Sequence, residues 1–149
     1  FDDFYSSLCA ILEETQLPPA CLELELTESA VMSDPDRCID LFNQVHDLGP
    51  RVSVDDFGTG YSSLSYLSSL PLDSLKIDRS FVSNITEDLS NQTIVKSIIS
   101  LSHNLGLQVV AEGVETDQQK LFLEQNQCDV MQGFLFSKPI PAAQVEELL

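Results

Sequence analysis

RVSVDDFGTGYSSL, residues 51–64, is the stretch from which the rest of the chain can be read. Val52 and Val54 give an apolar strand signal, and the strand delivers Asp55 and Asp56 side by side to its end. A loop with Gly58 and Gly60 follows at once, next to Phe57, with the hydroxyl side chains of Thr59, Tyr61, Ser62 and Ser63. Adjacent like charges repel, so a strand end gains no stability from the pair; a cation between them gives it a purpose. The glycines let the backbone turn sharply and close over whatever the carboxylates hold.

Outward from this point the chain alternates strands and helices. Upstream, Phe4, Leu8, Ile11 and Leu12 recur at helical spacing within residues 2–15, with Asp2 or Asp3 as a cap and Pro18-Pro19 as the end. LELEL (22–26) alternates strictly, as a strand does, and Asp34-Pro35-Asp36 starts a helix that Gly49 stops. Downstream, a short helix is expected near 62–69, a strand at 74–78 and a long helix over about 90–105. A strand at 107–111, a helix over 117–126, a short strand at 129–133 and a terminal helix from about 141 complete the series. Strand and helix repeat five times, which predicts an α/β fold with a parallel sheet.

Composition narrows the function classes. The chain has 149 residues, 43% hydrophobic, enough for one domain with a core. No apolar run is long enough to span a membrane and no signal peptide is visible. Four cysteines without CxxC spacing read as reduced core residues. Seven basic against 24 acidic residues leave a net charge of −17, a surface that repels nucleic acid polymers and anionic membranes. A phosphate substrate remains compatible if a divalent metal supplies the local positive charge.

In parallel α/β folds the chemistry gathers at the carboxyl ends of the strands. In order, those ends carry Glu25 and Glu28, Asp55 and Asp56, Lys76 and Asp78, Glu112 and Glu115, and Gln132. Each has a plainer reading: Glu23 and Glu25 as the wet face of an edge strand, Lys76 as a salt-bridge partner of Asp78. Five polar strand ends behind apolar residues are hard to explain as surface. Oxygen ligands without His or Cys favour Mg²⁺ or Mn²⁺, and adjacent aspartates suit a two-metal site, one carboxylate bridging two ions ~3.5–4 Å apart. A nearby Glu can take the proton of an attacking water, and a Lys can orient that water. His46 and His103 lie in expected helices and read as structural.

The segments ELTES (25–29), DDFGTGYSSL (55–64), LKIDRSFV (75–82), AEGVET (111–116) and QGFLFSKP (132–139), in this order, resemble the EAL-domain cyclic di-GMP phosphodiesterases. The resemblance covers essentially the whole chain. It implies a TIM-like (β/α)8 barrel, of which a chain this short holds about five C-terminal βα units, since such barrels need roughly 200–250 residues. Residues 1–149 would then be a partial EAL domain, with the Glu-Ala-Leu strand and a metal-binding Asn expected upstream. The resemblance implies Glu25, Asp55 and Asp56 as metal ligands, with Asp55 shared between two ions. It implies Lys76 as the holder of the catalytic water and Glu112 as the general base. Glu115 and Gln132 would stand near the second metal or the substrate, and Glu28 would anchor the 57–63 loop. Gln127 departs from the family pattern, where a glycine is usual, and Phe134 replaces a common tyrosine.

The implied activity of the parent protein is metal-dependent hydrolysis of cyclic di-GMP to linear 5′-pGpG in bacterial signalling. A catalytically inactive cyclic di-GMP receptor is the alternative. A receiver-like doubly wound domain is disfavoured by the order in which acids and Lys76 appear. A homodimer and attached sensory or GGDEF domains upstream are expected. The expected location is the cytoplasm, with room for membrane anchoring through upstream segments. An open barrel exposes sheet edges, so residues 1–149 alone are expected to be poorly soluble, oligomeric or completed by a partner, and inactive.

Overall fold

The computed structural model describes residues 2–59 and 67–145. Strands β1 (Glu23–Thr27), β2 (Arg51–Phe57), β3 (Ser74–Ile77), β4 (Gln108–Glu112) and β5 (Val130–Gln132) form one sheet in the order β1-β2-β3-β4-β5. Every neighbouring pair is parallel. Strictly sequential parallel order is the wall of a (β/α) barrel; a doubly wound sheet reverses its order at a switch point. The receiver-like alternative is therefore excluded, and the α/β, TIM-like expectation holds.

Helices fall between the strands and cover one sheet face. They are α1 (Asp2–Thr15), α2 (Glu28–Ser33), α3 (Pro35–Leu48), α4 (Arg79–Ser83), α5 (Leu89–Asn104), α6 (Asp117–Gln125) and α7 (Ala142–Val145). Val52 and Val54 of β2, Leu75 and Ile77 of β3, and Val109 and Ala111 of β4 are buried toward them. The facing side chains are Cys38, Leu41, Phe42 and Val45 of α3, Val95, Ile98 and Ile99 of α5, and Leu123 of α6. Each fully buried Val, Leu, Ile or Phe in this layer contributes about 1.5–3 kcal/mol, so this layer is where the stability resides. The strand periodicity then turns Glu23, Glu25, Ser53, Asp55, Ser74, Lys76 and Glu112 to the opposite face. That face is mostly polar: Ser74 Oγ donates to Glu23 at 2.9 Å and Arg51 donates to Gln108 at 2.7 Å, with Val110 and Val130 the apolar members of its β4–β5 end.

Local signals set most boundaries. Asp34 accepts from the Arg37 N–H to cap α3, and Gly49 ends it by donating to the Val45 and His46 carbonyls. Thr116 and Gln119 close a reciprocal capping box on α6. Two helices, α2 and α4, occupy stretches where the periodicity predicts nothing. At six and five residues they are too short to show an apolar stripe, and their one local mark is a capping side chain, Thr27 or Asp78. The expected helix near 62–69 and the loop residues Gly60, Tyr61, Ser62 and Ser63 lie largely outside the described residues. Among the described residues, no helix is long and apolar enough to cross a membrane.

Some expectations need correction. All four cysteines are free, but only Cys38 and Cys128 are buried; Cys9 is half-buried and Cys21 exposed. In α1 only Leu8 and Leu12 are buried, while Phe4 and Ile11 are exposed. The helix packs chiefly on α3, so a narrower stripe finds cover. His103 is structural, as expected: its Nε2 lies 3.0 Å from Asp129, whose carboxylate also accepts the Val109 N–H at 2.8 Å. Burial opposes ionisation of Asp129, but the Val109 N–H and His103 outweigh it and hold the carboxyl below its usual range.

The departure at Gln127 has a backbone basis. Gln127, the second residue past α6, sits at φ 63, the left-handed region that suits glycine. A side chain there costs roughly 1–2 kcal/mol, partly offset by the greater unfolded-state entropy of glycine. Gln127 is exposed and touches nothing that a glycine would forfeit in the core. Gln127→Gly is expected to stabilise the domain by about 1 kcal/mol, read as a rise in the urea midpoint with unchanged slope.

Candidate active site

Lys76 is on β3, the middle strand, with a side chain only 6% exposed. A buried ammonium requires compensation, and three strands supply it. Its Nζ lies 2.6 Å from Glu25 Oε1 of β1, 2.7 Å from Glu112 Oε1 of β4 and 3.6 Å from Asp55 Oδ1 of β2. The plainer sequence reading, a Lys76–Asp78 pair, is thereby replaced. Burial opposes the charge on Lys76, yet the hydrogen bonds to Glu112 and Glu25 and the nearby Asp55 hold its pKa above the ordinary lysine value. Glu25 is likewise no idle wet-face residue, although its carboxylate remains half-exposed.

Adjacent residues of a strand point to opposite faces, which should separate Asp55 from Asp56. A bulge prevents this. The β2–β3 register shifts between Val54 and Phe57, and Asp56 adopts φ 55. Asp55 Oδ1 accepts the Asp56 N–H at 2.9 Å, and the Asp56 carboxyl turns to the end of β3, where it hydrogen-bonds Asp78. Burial first, then the charges of Asp55, Asp78 and Glu112, push the Asp56 carboxyl above its usual range. Asp78 moves the other way: burial disfavours its charge, but the Ser80 hydroxyl, the Ser80 N–H and Asp56 stabilise it. Asp78 thus belongs to the site. Its sequence signal, an acid just before a helix, is indistinguishable from that of an ordinary cap, and it caps α4 as well.

The rim is built by backbone clasps. Glu28, buried at the start of α2, accepts the Gly58 N–H at 2.9 Å and so braces the loop after β2. Thr59 Oγ1 donates to the Asp56 carbonyl at 2.9 Å, tightening the same turn around the bulge. The loops after β4 and β5 interlock: the Val114 N–H donates to the Gln132 carbonyl and the Leu135 N–H to the Val114 carbonyl, both at 3.0 Å. Gly133 permits this, because a Cβ there would lie 2.1 Å from the Val114 carbonyl oxygen. Gln132 itself is exposed at the end of β5, in register with Glu112. Glu115 faces Arg79, with Nη2 2.9 Å from Oε1.

The donor set fits a hard divalent cation by its chemistry. Glu25, Asp55, Asp56 and Asp78 offer oxygen alone, and the burial and the neighbouring carboxylate charges that together raise Asp56 are what such a cation would offset. Among the described residues, no group of three acidic, His or Cys side chains is closed into a metal cage. Lys76 occupies the centre between Glu25, Asp55 and Glu112.

Acids and a lysine at the C-terminal rim of sequential parallel strands define the class: an enzyme-type site on a TIM-like barrel wall. The family model described as EAL domain matches residues 2–139, and the chain belongs to that family. Cyclic di-GMP phosphodiesterase NbdA of Pseudomonas aeruginosa is 51% identical over 138 residues, covering 93% of this chain and 18% of the relative. The chain therefore spans less than a fifth of that relative's length. The solved structure "PaMucR Phosphodiesterase, c-di-GMP complex" matches with a TM-score of 0.92 at 44% identity, over 94% of this chain and 57% of that one. Klebsiella pneumoniae BlrP1, solved as a manganese and cyclic di-GMP complex, matches with a TM-score of 0.82 at 35% identity, over 90% and 34% of the two chains.

Removing the Lys76 charge tests the centre. In metal-free protein, Lys76→Met leaves Glu25, Asp55 and Glu112 facing one another. Loss of a buried partner costs about 3–5 kcal/mol, and the partial exposure of these carboxylates reduces the expected loss to roughly 2 kcal/mol. Because the folded-state pKa of Lys76 is raised, its contribution is complete below the unfolded value of about 10.4 and disappears only as pH rises through the higher folded value. Urea unfolding should therefore show a constant wild-type advantage between about pH 6 and 9 that shrinks in strongly alkaline solution.

Proposed function

We propose that this chain is part of the catalytic domain of a metal-dependent phosphodiesterase that hydrolyses cyclic di-GMP to linear 5′-pGpG. The observation that carries the reading is the single constellation at four strand ends: Lys76 among Glu25, Asp55 and Glu112, with Asp56 and Asp78 beside it. The relatives' names support the substrate. In this reading the five strands are part of an eight-strand barrel, and the Glu-Ala-Leu signature and an Asn ligand come from elsewhere in the domain. The full protein acts as a homodimer in the cytoplasm, with sensory or GGDEF domains attached.

Glu25, Asp55 and Asp56 would hold Mg²⁺ or Mn²⁺. When bound, the ions supply positive charge for the substrate phosphate and lower the pKa of a water. The protein groups then have separate tasks. Lys76, fixed from three sides, orients the water and offsets negative charge as it builds on the phosphate. Glu112 takes the water proton as the oxygen attacks phosphorus in line. The bond from phosphorus to the ribose 3′ oxygen breaks, that oxygen takes a proton from solvent as it leaves while Glu112 later returns its own, and the ring opens to one linear dinucleotide. Glu28 keeps the loop after β2 in place, Glu115 and Gln132 complete the rim, and Asp78 orients Asp56.

Two experiments on the full-length protein test this. Stripping with EDTA should abolish turnover, and Mg²⁺ or Mn²⁺ should restore it; hydrolysis without any divalent metal would sink the mechanism. Glu112→Gln should lower kcat by roughly 10²- to 10⁴-fold, the scale of general-base catalysis, with cyclic di-GMP binding retained. Tight binding by the wild-type protein without turnover in saturating metal would make it a receptor instead.

A further inference from the structure

Arg79 opens α4 directly after the capping Asp78, and its side chain crosses to the loop after β4. Its guanidinium meets Glu115 at 2.9 Å, and its stem lies over Gly113 so closely that a Cβ there would come within 2.4 Å of Arg79 Cγ. Gly113 also sits at φ +69, so stem and glycine are fitted to each other. The same loop is gripped a second time from α6, whose Gln119 is tied in turn to the end of α4. Buried Gln119 accepts the N–H groups of Glu115 at 2.7 Å and Thr116 at 2.9 Å, while its Nε2 donates to the Ser83 carbonyl at 3.3 Å. Residues 113–116 are therefore held directly by Arg79 at one end of α4 and, through Gln119 of α6, indirectly by Ser83 at the other. An ion pair 63% and 42% exposed adds ~0–1 kcal/mol at most, so this one contributes little to stability. What it does is restrict a flexible glutamate and the turn that begins right after Glu112.

We infer that Arg79 is a positioning residue for the reaction: it fixes Glu115 at the rim and holds the turn that carries it. The inference rests on the phosphodiesterase reading, and it assigns Arg79 an action through Glu115 and not through the substrate. Arg79→Met keeps the stem over Gly113 and removes the fork that sets the Glu115 carboxylate. Arg79→Lys restores a charge without the fork.

The test is a double-mutant cycle in the full-length protein with cyclic di-GMP and Mn²⁺. Arg79→Met should lower kcat by roughly 10- to 100-fold, the scale of a misplaced group, with KM within about twofold. Arg79→Lys should recover part of the loss. In a Glu115→Gln background, Arg79→Met should have no further effect. An equal loss in both backgrounds, or a raised KM with kcat intact, overturns the inference; the second result would make the guanidinium a substrate contact. Amide exchange of residues 113–116 gives a readout free of turnover. Arg79→Met should speed exchange at Glu115 and Thr116, and unchanged protection counts against the clamp. If the wild-type protein shows no turnover, the activity reading fails by itself and the exchange result still decides the clamp.

Discussion

The polar face of this sheet depends on one buried ammonium. Without Lys76, β1, β2 and β4 would bring three carboxylates together with only solvent to separate them. With it, Glu25 and Glu112 each form a short charge-assisted hydrogen bond, Asp55 completes the set, and strands that are not neighbours are joined across the sheet. The apolar layer beneath the helices makes this affordable, because the core can carry a polar layer that is costly to assemble. The lysine serves stability and chemistry with the same contacts: a group fixed from three sides cannot wander when a substrate arrives.

Around that centre, the backbone is bent where a regular strand would misplace a side chain. The bulge at Asp56 is the main example. Regular alternation would send Asp56 toward the helices, whereas φ 55 and the shifted register bring it to Asp78. The loops after β4 and β5 are locked by hydrogen bonds through Val114, with Gly133 leaving no side chain in the way. At the site, strain and close approach fall at the strand ends, at Asp56 and at Gly133, while the strand middles remain regular.

The extents of α1, α3 and α5 were legible from signals between chain neighbours, an apolar stripe in each and a stopping glycine after α3 and α5, although Asp2 and Asp3, expected as a cap, lie inside α1. The strands were legible from short apolar runs or, for β1, from strict alternation, and the set of polar strand ends from the parallel-sheet rule. Helices α2 and α4 were not, being shorter than the period that would reveal them. Nor was the pairing of Lys76: Asp78 is two residues away in sequence, yet Glu25 and Glu112, 51 and 36 residues away, are the actual partners. Asp78 was legible as one of the polar strand ends, but its contact with Asp56 and its capping of α4 were not.

By itself, the sequence determined the family, the βα alternation and the list of acids and lysine that end the strands, since motif order and local periodicity need no long-range information. Only the tertiary structure decided which of these meet. Partner choice at Lys76, the turn of Asp56 toward Asp78 and the grip of Arg79 on Glu115 depend on strand register, a bulge and loop packing. Those arise from contacts between residues far apart in the chain, and no local pattern encodes their geometry.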